Sequence, residues 1–177
     1  VLASPLYKLE PLADPEDEWK WAVESVRKAG EYAEELGVLI TVEPLNRYET
    51  YLVNNVDDGL RFISDVDCDS VKIMLDCFHM NIEEQNLGAA IRKAGKNLIN
   101  IHIADSNRQS TGRGHTDFRS VIRALRDIDY QYCLTLEPLP PLHNPYLASN
   151  MKGSEAMHDM FAEECITYLK YLESVIG

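Results

Sequence analysis

Five short apolar runs, at residues 1–3, 38–42, 71–75, 98–103 and 132–136, alternate with stretches long enough for one helix each. The later runs, VLITV, VKIML, LINIHI and YCLTL, are aliphatic and rich in β-branched residues. Strands of that kind belong to parallel sheets, whose connections must cross over as helices. The stretches between them fit that role. From residue 14 to residue 37, Trp19, Ala22, Val23, Val26, Ala29, Ala33 and Leu36 recur at helical spacing. Asp14 is placed to cap that helix, Pro15 suits its first position, and Gly37 suits its end. Further helices are expected at 56–66 (capped by Asn55), 83–94, 117–126 and 154–175. No linker composition interrupts the series, so residues 1–177 read as one α/β domain built of about five βα units.

Composition narrows the function classes. Hydrophobic residues make up 45% and charged residues 26%, as in a globular protein. Seventeen Lys and Arg stand against 29 Asp and Glu, a net charge of -12 that opposes binding to nucleic acid or to an anionic membrane. The four cysteines, Cys68, Cys77, Cys133 and Cys165, contain no CxxC pair and read as reduced thiols of a cytoplasmic protein. The opening VLASPLYKLEPL lacks the layout of a signal peptide, and no apolar run reaches membrane-spanning length.

The chemistry is concentrated where the runs stop. Glu43, Asp76, His102 and Glu137 lie at or near the carboxyl ends of four successive runs, 33, 26 and 35 residues apart. ITVEPLN and LTLEPLP repeat the same exit, in which proline holds the preceding Glu extended. Taken singly, each acid reads as a loop cap or solvated group, and His102 as a hydrogen-bonded core residue. In a parallel barrel, however, all four strand ends meet on one face, where active sites form. Three carboxylates gathered there need a cation to offset their repulsion. Oxygen-rich ligation with one imidazole suits Mn²⁺, Mg²⁺ or Co²⁺ better than a thiolate zinc site. Glu49, His79 and Arg108 follow six, three and six residues after Glu43, Asp76 and His102, in loops from which they can reach a substrate.

VEPLNRYET, MLDCFHMN, HIADSNR, GRGHTDF and TLEPL resemble the xylose-isomerase-like TIM-barrel superfamily, and within it the ketose 3-epimerase group of D-tagatose 3-epimerase and D-psicose 3-epimerase. The resemblance implies that the chain is the C-terminal part of a (β/α)8 barrel, since family members carry about three further βα units upstream. It implies one divalent metal ion, Mn²⁺ above Mg²⁺ or Co²⁺, held by Glu43, Asp76, His102 and Glu137. Glu43 and Glu137 would also be the catalytic acid/base pair, inverting C3 of a ketose through an enediolate. Glu49, His79 and Arg108 would bind the O1 and O2 end of the sugar. A homodimer or homotetramer is implied as well.

Other members of the superfamily offer alternatives: hydroxypyruvate isomerase or another sugar isomerase, an inosose dehydratase, or a sugar-binding domain without chemistry. The abasic-site endonuclease relatives carry an Asp-x-His metal pair in the loop after the His102 strand. Here that loop reads ADSNRQSTGRGH, without the pair. No glycine-rich phosphate cradle is visible, which favours a free sugar. The Pro-rich segment 138–150 is a candidate lid over the sugar or an ordinary exit loop. Asp117 reads as a helix cap and His115 as a partner of loop backbone.

Overall fold

The computed structural model describes residues 1–3, 5–141, 147 and 153–176. Its elements run α1 (Pro15–Glu35), β1 (Ile40–Val42), α2 (Val56–Val66), β2 (Val71–Asp76), α3 (Cys77–Glu83), α4 (Leu87–Ala94), β3 (Leu98–Ile103), α5 (Phe118–Asp127), β4 (Leu134–Leu136) and α6 (Glu155–Val175). The strands form one parallel sheet in the order β1-β2-β3-β4. Consecutive strands are thus neighbours, and a helical crossover joins each pair.

Helix ends explain where the strands begin. Asp14 accepts a hydrogen bond from the Glu16 amide at 2.9 Å and opens α1. At the far end Gly37, at φ 65, donates to Glu34 O at 3.0 Å, and Val38 donates to Ala33 O at 3.0 Å. That closure consumes the Val38 amide, so β1 starts at Ile40 rather than at residue 38. The same device precedes β4. Asp129, at φ 52, and Tyr130 donate to Arg126 O and Leu125 O, each at 3.0 Å, and the expected strand 132–136 shortens to Leu134–Leu136.

Two further expectations are corrected. Among the described residues, residues 1–3 lie beside β1 through two bonds, from the Val1 amino group to Thr41 O (2.7 Å) and from the Glu43 amide to Val1 O (3.1 Å). Val1 alone supplies both, and among the described residues no fifth strand develops. The helix expected over 83–94 is two helices. The Asp76 carboxylate accepts from the Phe78 amide at 2.8 Å and starts α3 six residues earlier than expected, at Cys77. Glu84 then breaks the run in an extended conformation, its carboxylate accepting from the Val56 amide at 2.7 Å, and Asn86 caps α4. Asn55 and Asp117 cap α2 and α5 as the sequence predicts.

One face of the sheet is packed beneath the helices. Ile73, Leu75, Ile101 and Ile103 are buried there with Ile91, Phe118, Val121, Leu169 and Leu172. A second cluster joins α1 and α2 to the sheet through Val26, Val42, Phe62 and Val71, with Trp19 edge-on to Phe62 at 5.2 Å. The opposite face carries polar groups. Asn100 and His102 point there from β3, and Thr135 donates to Asn100 Oδ1 at 2.9 Å from β4. Of the Pro-rich segment 138–150, most lies outside the described residues, so the expected lid does too. Among the described residues, no helix is long and apolar enough to cross a membrane.

Candidate active site

Parallel pairing places Asp76 directly opposite His102 in register. Glu43 and Glu137 each follow the last residue of their strand, and the Glu137 amide donates to Ile103 O at 3.0 Å. The four strand exits therefore deliver their side chains to one cluster. His102 Nδ1 lies 2.8 Å from Glu137 Oε2, 3.6 Å from Glu43 Oε1 and 4.0 Å from Asp76 Oδ2. Donor atoms of Glu43, Asp76 and His79 fall within 4.8 Å of one another, as do those of Asp76, His102 and Glu137. Asp76 is fully buried, and the cluster opens toward solvent at Glu137, whose side chain is 36% exposed.

The residues expected to touch substrate surround this cluster. Arg108 ion-pairs with Asp76 Oδ2 and with Glu137 Oε2, the latter at 2.8 Å, and its guanidinium lies 4.7 Å from the centre of the Phe78 ring. His79, only 3% exposed, places Nε2 3.6 Å from Asp76 Oδ2. Glu49 is tied in through Asn46, whose Nδ2 donates to Glu49 Oε1 at 3.0 Å and lies 2.7 Å from His79 Nδ1. The structure thus gathers all seven predicted residues at one end of the sheet. His115 pairs with the Ser106 side chain at 2.8 Å, rather than with backbone, and stands apart from them.

Charge in the cluster is unbalanced. Burial pushes the Glu43 carboxyl up to about 7, with Asp76 and Glu137 adding to the rise against His102 and Arg108. Burial also opposes ionisation of Glu137, yet His102 and Arg108 outweigh it and hold that carboxyl at about 2. His102 is itself raised, because Glu137, Glu43 and Asp76 outweigh its burial. His102 Nδ1 is buried without a well-aligned hydrogen bond, despite the nearby carboxylates. An excess of carboxylate and an orphaned imidazole nitrogen fit a divalent cation. The ligands of such an ion stand roughly 3 Å apart when its bonds are about 2.1 Å, close to the spacings seen here.

Sequence reasoning passed over two residues that build this site. Asn46 is buried and joins the β1 loop to α3. Asp105, also buried, organises the loop that carries Arg108. Its carboxylate accepts from the amides of Ser106 (2.7 Å), Gly112 (2.8 Å) and Thr116 (3.0 Å). Arg108 sits in the left-handed region at φ 63, and its amide donates to Asp105 O at 2.8 Å. In HIADSNR the acid follows His102 by only three residues and reads as an ordinary loop cap. The glycines and small residues of STGRGHT were the available signal of a backbone wrapped closely around it.

Burial opposes the Asp105 charge, but the amides of Thr116, Gly114, Ser106 and Gly112 outweigh it and hold the carboxyl below its ordinary value. A lowered folded-state pKa stabilises the fold above the unfolded value and loses that contribution as pH falls through the folded one. Asp105→Asn is therefore expected to lower stability at pH 7 by about 1–3 kcal/mol, the scale of hydrogen bonds to a charged group. It should also flatten the loss of stability below about pH 4. Thermal melts of both proteins from pH 3 to 7 read this directly, and parallel curves would exclude a charged Asp105 as the organiser.

A parallel sheet with helices packed on one face and an acid-rich cluster at the carboxyl ends of its strands is the arrangement of part of an α/β barrel, with side chains that could hold a metal ion. Residues 2–156 match the model of the family described as xylose isomerase-like TIM barrel. The chain belongs to that family. It is 36% identical over 185 residues to D-psicose 3-epimerase of Ruminiclostridium cellulolyticum, covering 97% of this chain and 63% of that protein. It is 38% identical over 125 residues to L-ribulose 3-epimerase of Mesorhizobium japonicum, covering 71% of this chain and 42% of the relative. The solved structure of D-psicose 3-epimerase with D-tagatose from Clostridium cellulolyticum superposes with a TM-score of 0.83 at 33% identity. That match covers 99% of this chain and 62% of the other. The chain thus spans less than two thirds of the length of these relatives.

Proposed function

We propose that residues 1–177 form, as one domain, the ligand-bearing C-terminal portion of a metal-dependent ketose 3-epimerase acting on a free sugar. The observation that carries this reading is the convergence of Glu43, Asp76, His102 and Glu137 from four successive strand exits, with His102 Nδ1 within 4.0 Å of all three acids. Likeness to relatives named for 3-epimerisation of D-psicose and L-ribulose supports the substrate class. Those four side chains would hold a divalent cation, with Mn²⁺ first among the candidates. When bound, such an ion supplies Lewis-acid polarisation of the substrate carbonyl.

The chain's own residues divide the remaining work. Inversion at one carbon needs a proton removed from one face and returned to the other, so two bases are required. Glu43 and Glu137 come from the two outer strands of the sheet, on opposite sides of His102, and are assigned those roles. Arg108, held by Phe78 and by its acidic partners, and His79 and Glu49, joined by Asn46, are assigned to the O1 and O2 end of the sugar. Holding that end fixes which C–H bond meets the base. The cytoplasmic location and the homodimer or homotetramer implied by the family likeness belong to the same proposal.

The test is incubation of the intact protein with Mn²⁺ and a panel of ketoses in D₂O, followed by NMR. Deuterium at C3 together with the C3 epimer is expected. Label at C1 with an aldose product would make the protein an aldose–ketose isomerase. No exchange in a metal-loaded preparation would turn the assignment toward a dehydratase or a binding domain.

A further inference from the structure

Asn46 is an uncharged side chain, 1% exposed, between two residues assigned to the substrate. Its Oδ1 accepts from the Tyr48 amide at 2.9 Å, and its Nδ2 donates to Glu49 Oε1 at 3.0 Å. Those two contacts fix which way the amide faces. Exchanging oxygen and nitrogen would set an NH₂ against the Tyr48 N–H and a carbonyl oxygen against the Glu49 carboxylate. In the orientation that remains, Nδ2 lies 2.7 Å from His79 Nδ1, and the Asn46 backbone amide donates to the same nitrogen at 3.3 Å. Two N–H groups therefore point at His79 Nδ1, which leaves no room for a proton there. The imidazole must accept on that side. On its other side, Nε2 faces Asp76 Oδ2 at 3.6 Å, and Phe78 stands edge-on to the ring at 5.4 Å.

We infer that Asn46 is a positioning residue: it locks His79 in the Nε2–H form, making it a hydrogen-bond donor toward the sugar oxygens, while holding Glu49 beside it. The inference rests on the substrate role given to His79 and Glu49 above and adds a residue with no substrate contact of its own. One amide thereby coordinates two loops that leave different strands. The β1 loop supplies Asn46 and Glu49, and α3 supplies His79. Which nitrogen of a histidine carries the proton is set by the partner of the other nitrogen, and here both partners are donors from a single residue.

The experiment is ¹⁵N NMR of the histidine rings in the intact protein with Mg²⁺, which leaves the resonances sharp, beside rate measurements. In the wild type, His79 should show a pyrrole-type Nε2 and a pyridine-type Nδ1. Asn46→Asp keeps the shape and the Tyr48 bond but puts an acceptor against Nδ1, so the His79 proton is expected to move to Nδ1. Its kcat/KM should fall about 10- to 100-fold, the usual cost of losing an orienting partner. A structural role alone would leave the tautomer unchanged, so an Nε2–H His79 in Asn46→Asp overturns the inference. If that variant does not fold, the wild-type spectrum decides. An Nδ1–H His79 in an active wild type overturns the role of Asn46 alone. Absence of C3 exchange in the wild type overturns the substrate role of His79, and with it the purpose assigned to Asn46.

Discussion

Glu43→Gln and Glu137→Gln are each expected to lower turnover by about 10²- to 10⁴-fold, the contribution of a positioned acid or base, while the protein stays folded. The two variants should part company in stability. Burial, with Asp76 and Glu137 adding to it, raises the Glu43 carboxyl to about 7. Replacing it with a neutral amide relieves repulsion, and the melting temperature near pH 8 should hold or rise. Glu137 is the counter-ion of both Arg108 and His102. Its loss removes the shortest carboxylate contact of His102 and one of the two acidic partners of Arg108, and the melting temperature should fall. Steady-state rates with melting curves for both variants give the four values needed. A near wild-type rate in either variant would remove the two-base assignment, whatever the melts show.

Removal of divalent metal is expected to abolish turnover, and added Mn²⁺ or Co²⁺ to restore it. The structure provides a second readout that needs no substrate. An ion that binds only the folded chain stabilises it by about 2.7 kcal/mol at a hundred times its dissociation constant. The melting temperature should therefore climb with Mn²⁺ concentration. The climb should weaken in Glu43→Gln, where one of four donors has lost its charge. Arg108 competes in this balance, since it ion-pairs with two of the same carboxylates. Chelated protein with undiminished activity would take away the centre of the proposed function.

How far the sequence alone leads is clearest where local signals and tertiary demands coincide. Helix α1 was legible from Asp14, Pro15 and Gly37, and the structure uses each as a terminus. Strands β2 and β3 were legible because they are long and largely apolar. The start of β1 was not, because Val38 spends its amide closing a helix and its side chain still reads as strand. Helix α3 was hidden for another reason. Seven residues give too short a period to detect, and its cap, Asp76, had already been read as a site residue. In the site, the charged and imidazole groups announced themselves through their spacing at strand exits. Asn46 and Asp105 did not, because their work is done through backbone amides and neighbouring side chains that only folding brings within reach.

Asp76 divides its carboxylate between two tasks: Oδ1 opens α3 through the Phe78 amide, and Oδ2 faces Arg108, His79 and His102. Among the described residues, the Glu43 and Glu137 carboxylates accept no backbone hydrogen bond. The three acids therefore differ in how freely they can be exchanged over evolutionary time. A lineage that alters its chemistry can replace either glutamate and keep its helices where they are. Replacing the aspartate frees a helix end at the same moment that it empties a place in the site. The middle of the site is for that reason its most heritable part, and new activities on this scaffold would arise from its two flanks.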